Sequence, residues 1–249
     1  MIKNRLLVYN MRYAAGNGRR MNIPMPGSGY LRTNPAHLEK ISQFVQQQKP
    51  DLVGLLEVDT GSKRTGNINQ AEKIAKDLGH YSLYQCKYHE GSFTSRLPIL
   101  NAQANAFIAS NELHHPNFHY FNRGVKRLII ELETDEVCVF LVHLSLWYRH
   151  RQEQLWELHQ LMKKIDKPVI IAGDFNTYWG SSELNLFKQA TGLLSANKDS
   201  LPTFPSDKPR LELDFVLYEK PIQIDNFTVC DVQYSDHRPL VVDFSLNGV

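Results

Sequence analysis

The segment formed by residues 168–176, PVIIAGDFN, restricts the fold of this chain more than any other. Residues 169–172 have the pattern of a short buried strand, and Gly173 ends the apolar run. Asp174 and Asn176 follow two residues apart, so in extended chain their side chains project to the same side. Enzymes with α/β folds usually keep their catalytic groups at strand ends. Taken alone, the segment is also typical of an ordinary turn, because Asp, Asn and Gly are turn residues.

The rest of the chain alternates between strand and helix patterns, which is typical of an α/β protein. Asn34 and Pro35 have the types preferred for an N-cap and a first helical residue, and Lys49-Pro50 ends that helix. Strands are predicted at 5–9, 52–58, 81–88, 104–110, 125–133, 137–144, 169–172, 211–218, 224–230 and 240–246; further helices are predicted at 70–78, 147–165 and 181–190.

Length and composition exclude several classes of protein. A chain of 249 residues fits one large or two small domains, and the lack of repeats and linkers favours one domain over residues 1–249. The three cysteines are too few and too far apart for a disulfide framework. A net charge of +2 permits a nucleic-acid partner without arguing for one. With no signal-like segment and no apolar run of about 18 residues, we expect a cytoplasmic protein without stable membrane insertion.

Polar residues recur at the ends of several predicted strands and suggest a shared site. The set comprises Asn10, Glu57, His143, Asp174 with Asn176, and Asp236 with His237. Carboxylate and amide oxygens select Mg²⁺ or Mn²⁺ over zinc, and Mg²⁺ lets a substrate phosphate complete its coordination shell. The phosphate-binding loop, the HExxH motif and the GxSxG elbow are missing. Ser-His-Asp hydrolysis is not excluded by residue counts, although no serine has a nucleophile context.

These segments resemble the endonuclease/exonuclease/phosphatase superfamily of DNase I-like enzymes. The resemblance extends from Asn10 to His237 and is carried by 173–176 (GDFN) and 235–239 (SDHRP), with support from 56–58, 105–106 and 142–144. It implies a four-layer α/β sandwich, in which two mixed β-sheets pack face to face and are flanked by helices.

The resemblance also implies roles for individual residues. Glu57, with Asn10 nearby, would hold the divalent ion, and Asp236 would support the metal centre. Asp174 would orient or deprotonate the attacking water. The other implied roles are phosphate binding by Asn176 and Asn105, contact of His237 with the phosphoryl oxygens, pairing of Asp214 with His237, and approach of His143 from the opposite side.

Each residue also has an ordinary structural explanation. His143 lies between apolar residues, as core histidines do, and Asp214 shares a strand face with Glu212. Asp236 and His237 are compatible with a turn before Pro239. The joint occurrence of all the segments in the family's order favours the catalytic interpretation.

We therefore predict a Mg²⁺- or Mn²⁺-dependent hydrolase of a phosphate ester, with a diester as the preferred substrate. The alternatives are a phosphatase or phospholipase C-type hydrolase acting on an inositol phosphate or lipid headgroup, and a non-catalytic binding module. The sequence does not define the oligomeric state.

Two pairs of consecutive basic residues, Lys63-Arg64 and Lys126-Arg127, are interpreted as solvated surface. Arg19-Arg20 is the preferred basic pair for binding of substrate phosphate. Base stacking or lipid contact is a minority hypothesis for four aromatic residues: Tyr148, Tyr178, Trp179 and Phe204.

Overall fold

The structure is a computed structural model that describes residues 4–17, 33–87, 99–111 and 116–246. Arg19 and Arg20 lie outside the described residues. The strands are β1 (Asn4–Asn10), β2 (Leu52–Asp59), β3 (Tyr81–Cys86), β4 (Gln103–Ala109), β5 (Asn117–Tyr120), β6 (Leu128–Glu133), β7 (Cys138–His143), β8 (Val169–Asp174), β9 (Leu194–Ser195), β10 (Asp214–Tyr218), β11 (Ile222–Val229) and β12 (Leu240–Leu246). The α-helices in this part of the chain are α1 (Pro35–Gln48), α2 (Gln70–Leu78), α3 (Tyr148–Met162) and α4 (Asn185–Thr191).

The strands form two six-stranded mixed sheets. The first has the order β11-β12-β1-β2-β4-β3, and the second has the order β5-β6-β7-β8-β10-β9. Only β1 with β2 and β7 with β8 pair in parallel among the described strands; their neighbours are antiparallel. The predicted mixed sheets are therefore confirmed.

Three apolar clusters define the layers of the fold. The central cluster combines both sheets, with Leu6 and Phe107 from the first and Leu141 and Val216 from the second. The second cluster packs α1 and α2 on the outer face of the first sheet. The third packs α3 and α4 on the outer face of the second sheet. Helix, sheet, sheet and helix follow one another, which confirms the four-layer sandwich.

Local sequence signals explain two of the helices. The Asn34 side chain accepts a hydrogen bond from the Ala36 N–H, and Pro35 follows as the first residue of α1. The Asn69 side chain caps α2 in the same way, and Gly79 ends α2 in the left-handed conformation.

Several predicted boundaries differ from the structure. The predicted helix 147–165 shortens to Tyr148–Met162, and the predicted helix 181–190 is a 3₁₀ turn (Ser181–Leu184) followed by α4. The predicted strand 211–218 begins only at Asp214, because Leu211 pairs with Phe204 in the preceding loop rather than with β8. The short strands β5 and β9 have no counterpart among the predicted elements.

The two parallel pairs bring the site residues together. Because β7 and β8 run in the same direction, His143 lies directly opposite Asp174 in the register. Asp214, the first residue of the antiparallel β10, is the partner of Asp174 on its other side. Asn10 ends β1 in the other sheet, and its amide reaches Asp174 across the sandwich. The fold thus collects residues from both sheets at one edge.

Candidate active site

Asp174 is the centre of the hydrogen-bond network. Its Oδ2 accepts from Asn10 Nδ2 at 3.0 Å and lies 3.1 Å from His143 Nε2 and 3.8 Å from His237 Nε2. Its Oδ1 accepts from the Asn176 N–H at 2.9 Å. Burial raises the pKa of Asp174, but the two histidines outweigh burial and hold that pKa well below its ordinary value. The carboxylate is therefore ionised and fixed in orientation.

Gly173 is required immediately before Asp174. Its φ is +143°, and a Cβ atom there would lie 1.9 Å from the carbonyl oxygen of Val142. The close approach of β7 and β8 at this point leaves no space for a side chain. This explains why the apolar run of β8 ends in glycine just before the catalytic candidate.

Asp214 and His237 form a buried pair beside Asp174. His237 Nδ1 lies 2.8 Å from Asp214 Oδ2, which also accepts a hydrogen bond from Thr203 Oγ1 at 2.6 Å. The Phe204 ring packs on the imidazole with 4.9 Å between ring centroids. Burial by itself lowers the pKa of His237, but Asp214 and Asp174 outweigh it and raise that pKa to about 10. His237 is therefore protonated at neutral pH.

Asn176 lies beside the same carboxylate, at the position expected from the sequence. Its Nδ2 donates to the carbonyl of Leu144 at 2.8 Å, and its φ of +53° is unusual for a residue other than glycine. The Asn176 side chain therefore also connects the loop after β8 to the loop after β7. Its contact with a substrate phosphate remains a prediction.

Glu57 lies in a β-bulge at the end of β2. The register between β2 and β4 shifts between Leu55 and Val58, and Glu57 has a φ of +54°. Asn105 Oδ1 accepts a hydrogen bond from the Glu57 N–H at 3.3 Å. Asn105 thus supports the backbone that presents Glu57, and the phosphate-binding role predicted for Asn105 is not tested by this contact.

Two lysines face the Glu57 carboxylate. Burial raises the pKa of Glu57, but Lys87, Lys126 and His143 outweigh it and lower that pKa to about 2. Lys126 Nζ is 3.6 Å from Glu57 Oε1, and His143 Nε2 is 3.9 Å from the same oxygen. Burial and, secondly, Lys126 lower the pKa of His143 to about 4, so His143 is neutral at pH 7.

The three residues expected at a metal centre have different partners in the structure. Asn10 donates its amide to Asp174 and accepts from the Arg12 N–H, while Asp236 lies 3.5 Å from Arg12 Nε. Glu57 faces the lysines. Within the described residues, the group that brings three possible metal ligands within 4.8 Å of one another comprises Asp174, Asp214 and His237.

Two basic residues interpreted as surface belong to the interior or the cleft. Arg64 is fully buried and forms an ion pair with Asp59 at 2.7 Å, and its guanidinium covers the Tyr13 ring at 3.9 Å. The Lys126 side chain is 21% exposed and contacts His143. The solvated-surface interpretation is wrong for Arg64 and Lys126. Two consecutive basic residues in a sequence do not indicate which side chains from other segments they contact. Tyr13 itself lies in a turn of three consecutive positive-φ residues, Arg12–Ala14.

The aromatic residues considered as cleft-lining differ in exposure. Trp179 is 79% exposed and Tyr148 is 52% exposed, whereas Phe204 packs against both His237 and Tyr178. Phe204 therefore supports the catalytic histidine candidate, and sequence reasoning had no signal to separate it from the others.

Comparison with known proteins identifies the family to which the chain belongs. Residues 7–237 match the family model described as Endonuclease/Exonuclease/phosphatase family. The chain belongs to this family, whose members are hydrolases acting on phosphate esters.

Similar solved structures support the same fold. An endonuclease/exonuclease/phosphatase family protein from Bacteroides thetaiotaomicron has a TM-score of 0.77 at 14% identity, with 99% of each chain covered. A mannosyl-6-phosphatase from the same organism has a TM-score of 0.74 at 14% identity, covering 98% of this chain and 100% of the other. At these identities the likeness concerns the fold alone.

Among curated proteins, a UPF0294 protein of Vibrio parahaemolyticus is 31% identical over 115 residues. The match covers 45% of this chain and 40% of that protein. The chain thus spans less than half the length of the curated relatives it matches. Across the described residues, no helix combines the length and the apolar character needed to cross a membrane.

Proposed function

We propose that the chain hydrolyses a phosphodiester by in-line attack of an activated water, with a divalent metal ion as cofactor. One observation carries the proposal: the buried Asp214–His237 pair lies beside an ionised Asp174 that Asn10 and Asn176 hold from both sheets. An oriented carboxylate next to a protonated imidazole matches the two demands of this reaction, which are positioning of water and stabilisation of charge on the phosphoryl oxygens.

Asp174 orients the attacking water in this proposal. A carboxylate with a strongly lowered pKa is a weak base, so orientation is the larger part of its contribution. Its hydrogen bonds to Asn10 and Asn176 fix the carboxylate before substrate arrives, which reduces the reorganisation needed for the reaction.

His237 supplies positive charge to the phosphate. Because Nδ1 donates to Asp214, the second N–H of the imidazolium, at Nε2, remains for a phosphoryl oxygen. Nε2 lies 3.8 Å from Asp174 Oδ2, beyond hydrogen-bonding distance, so Asp174 does not take up this donor.

The side chains present are compatible with a hard divalent cation. Glu57 is an ionised oxygen donor, and Asn10 and Asp236 offer further oxygen atoms; the Ser235 hydroxyl links these two residues by donating to the Asn10 carbonyl and to Asp236 Oδ1. Glu57 would hold the ion, with Asn10 and Asp236 contributing directly or through water. When bound, Mg²⁺ or Mn²⁺ supplies charge that polarises the phosphate and lowers the pKa of bound water.

The test is a panel of esters with Mg²⁺, Mn²⁺ or EDTA: single- and double-stranded DNA, abasic DNA, RNA, bis-p-nitrophenyl phosphate, phosphoinositides and sphingomyelin. We expect metal-dependent cleavage of at least one diester and loss of cleavage in Asp174→Asn. Equal rates in EDTA and Mg²⁺, or full activity of Asp174→Asn, would contradict the mechanism.

A monoester phosphatase is the second candidate. It is favoured by the fold shared with the mannosyl-6-phosphatase, in which a sugar monoester is the substrate indicated by the name. Hexose 6-phosphates and inositol phosphates in the same panel distinguish it, because a phosphatase releases inorganic phosphate from them and leaves diesters intact. Binding of Mg²⁺ without turnover of any ester would instead support a non-catalytic module.

A further inference from the structure

Lys126 lies among the candidate catalytic residues although it belongs to none of the motifs. It precedes β6, whose neighbour β7 ends at His143. The Lys126 ammonium contacts His143 Nε2 and lies 3.6 Å from Glu57 Oε1. His143 Nε2 is in turn 3.1 Å from Asp174 Oδ2, so Lys126 is one residue removed from the central carboxylate.

The contacts of Lys126 do not satisfy its ammonium group. Glu57 Oε1 at 3.6 Å is beyond hydrogen-bonding distance. His143 Nε2 can accept at most one of its hydrogens, and a lysine has three N–H donors. Within the described ranges, no carbonyl or carboxylate oxygen lies within 3.5 Å of Lys126 Nζ in a hydrogen-bonding geometry. The ammonium therefore has donors left for an external acceptor.

Lys126 differs in exposure and contacts from Lys87, the other lysine whose charge acts on Glu57. Lys87 is 8% exposed, and its ammonium donates to Tyr13 Oη at 3.2 Å. Lys87 is thus buried and engaged, whereas Lys126 is partly exposed and reaches the same carboxylate from the cleft.

We propose that Lys126 is a substrate-binding residue whose ammonium takes a non-bridging oxygen of the scissile phosphate beside Asp174. The inference rests on the proposed function, because it assigns Lys126 to the same phosphate site. The Lys126 ammonium is partly exposed and has unused donors, and a charged N–H donor forms a strong hydrogen bond with a phosphate oxygen. Lys126 and His237 then contribute two positive groups to one phosphate.

The experiment measures binding of inorganic phosphate to the full chain by titration calorimetry, without metal and with Mg²⁺. Lys126→Met retains the apolar stem and removes the charge, and Lys126→Arg retains the charge. Lys167→Met is the matched control, because Lys167 pairs with Glu133 at the far end of β6. Circular dichroism and the melting temperature establish that each variant is folded.

We expect phosphate affinity to fall about 10- to 100-fold in Lys126→Met, as for loss of a charged hydrogen bond, and to change little in Lys167→Met. Lys126→Arg should retain most of the affinity. Wild-type affinity in Lys126→Met overturns the proposal, as does lack of phosphate binding by the wild-type protein. Unchanged phosphate binding with tighter Mn²⁺ binding in Lys126→Met would assign Lys126 as a counter-ion of Glu57 instead.

These outcomes separate the inference from the proposed function. If phosphate binding depends on Lys126 but no ester is hydrolysed, the proposed function fails and the binding role stands. If an ester is hydrolysed and Lys126→Met has wild-type KM and kcat, the hydrolase stands and the role of Lys126 fails.

Discussion

Replacement of Asp214 by Asn tests the electrostatic basis of the site. The pKa of His237 is raised from 6.5 to about 10, and Asp214 is the largest contributor that raises it. An opposite charge within about 4–6 Å typically moves a pKa by about 1–3 units, and Asp214 Oδ2 is 2.8 Å from Nδ1. Asp214→Asn should therefore lower the pKa of His237 by about 2–3 units.

The assay is an NMR titration of the His237 ring carbon signal in metal-free protein, assigned by comparison with His237→Gln. In the wild-type protein the signal should not titrate between pH 6 and 9, whereas in Asp214→Asn its midpoint should fall to about 7–8. Asp243→Asn is the control, because Asp243 pairs with Arg5 at the opposite end of β1 from Asn10. A midpoint in Asp214→Asn within half a unit of the wild-type value would refute the assignment of Asp214 as the cause.

The same pair predicts a pH dependence of stability. The folded-state pKa of His237 is raised above its unfolded value, so its stabilising contribution is complete below about pH 6.5 and is lost as pH rises through about 10. Asp214→Asn should lose most of this contribution. The difference in free energy of unfolding between the wild-type protein and Asp214→Asn should therefore decrease from pH 6.5 to 10 in urea titrations. A difference that is constant over this range would contradict the linkage.

Three further substitutions test other parts of the structure. Asp174→Asn should reduce kcat by at least about 100-fold in the ester assay while the circular dichroism spectrum is retained. Gly173→Ala should destabilise the fold by more than about 2 kcal/mol in urea denaturation, because the new Cβ would collide with a carbonyl oxygen. Gly192→Ala is the control, because no atom lies within 4 Å of the new Cβ, and it should cost about 1 kcal/mol. Equal losses of stability in the two variants would refute the steric argument. Arg151→Met should cost about 3–5 kcal/mol by the same method, because it leaves the buried Glu183 carboxylate unpaired; a loss below about 1 kcal/mol would contradict this.

Much of the site follows from local patterns because strand ends are visible in the sequence. Alternation and apolar runs locate β1, β7 and β8, and parallel pairing then brings the residues at their carboxyl ends to one edge. His143 and Asp174 were placed in this way and are direct register partners. The hydrogen bond from Asn10 to Asp174 required the packing of two sheets, which came from the family resemblance rather than from periodicity.

Residues whose environment depends on distant partners were not predicted. Arg64 is buried beside Asp59, five residues earlier, because Tyr13 from a separate segment covers its guanidinium, and the contact with Tyr13 has no local sequence signal. Lys126 enters the cleft because β6 lies next to β7 in the second sheet. Thr203 bonds to Asp214 across a loop that the sequence marks only as polar. In each case the missing information is a tertiary contact between segments.

The positive-φ backbone at Glu57 and Asn176 is the feature of the site that is least predictable from the sequence. Glu57 and Asn176 have φ values of +54° and +53°, a conformation that costs a residue other than glycine about 1–2 kcal/mol. Each is held by a hydrogen bond from its own N–H, to Asn105 Oδ1 for Glu57 and to Asp174 Oδ1 for Asn176. These bonds offset part of the strain and fix the direction of the two side chains. Positive φ also occurs away from these residues, for example at Lys49 after α1 and at Ser200, so at Glu57 and Asn176 it explains how the side chains are held rather than where the site lies.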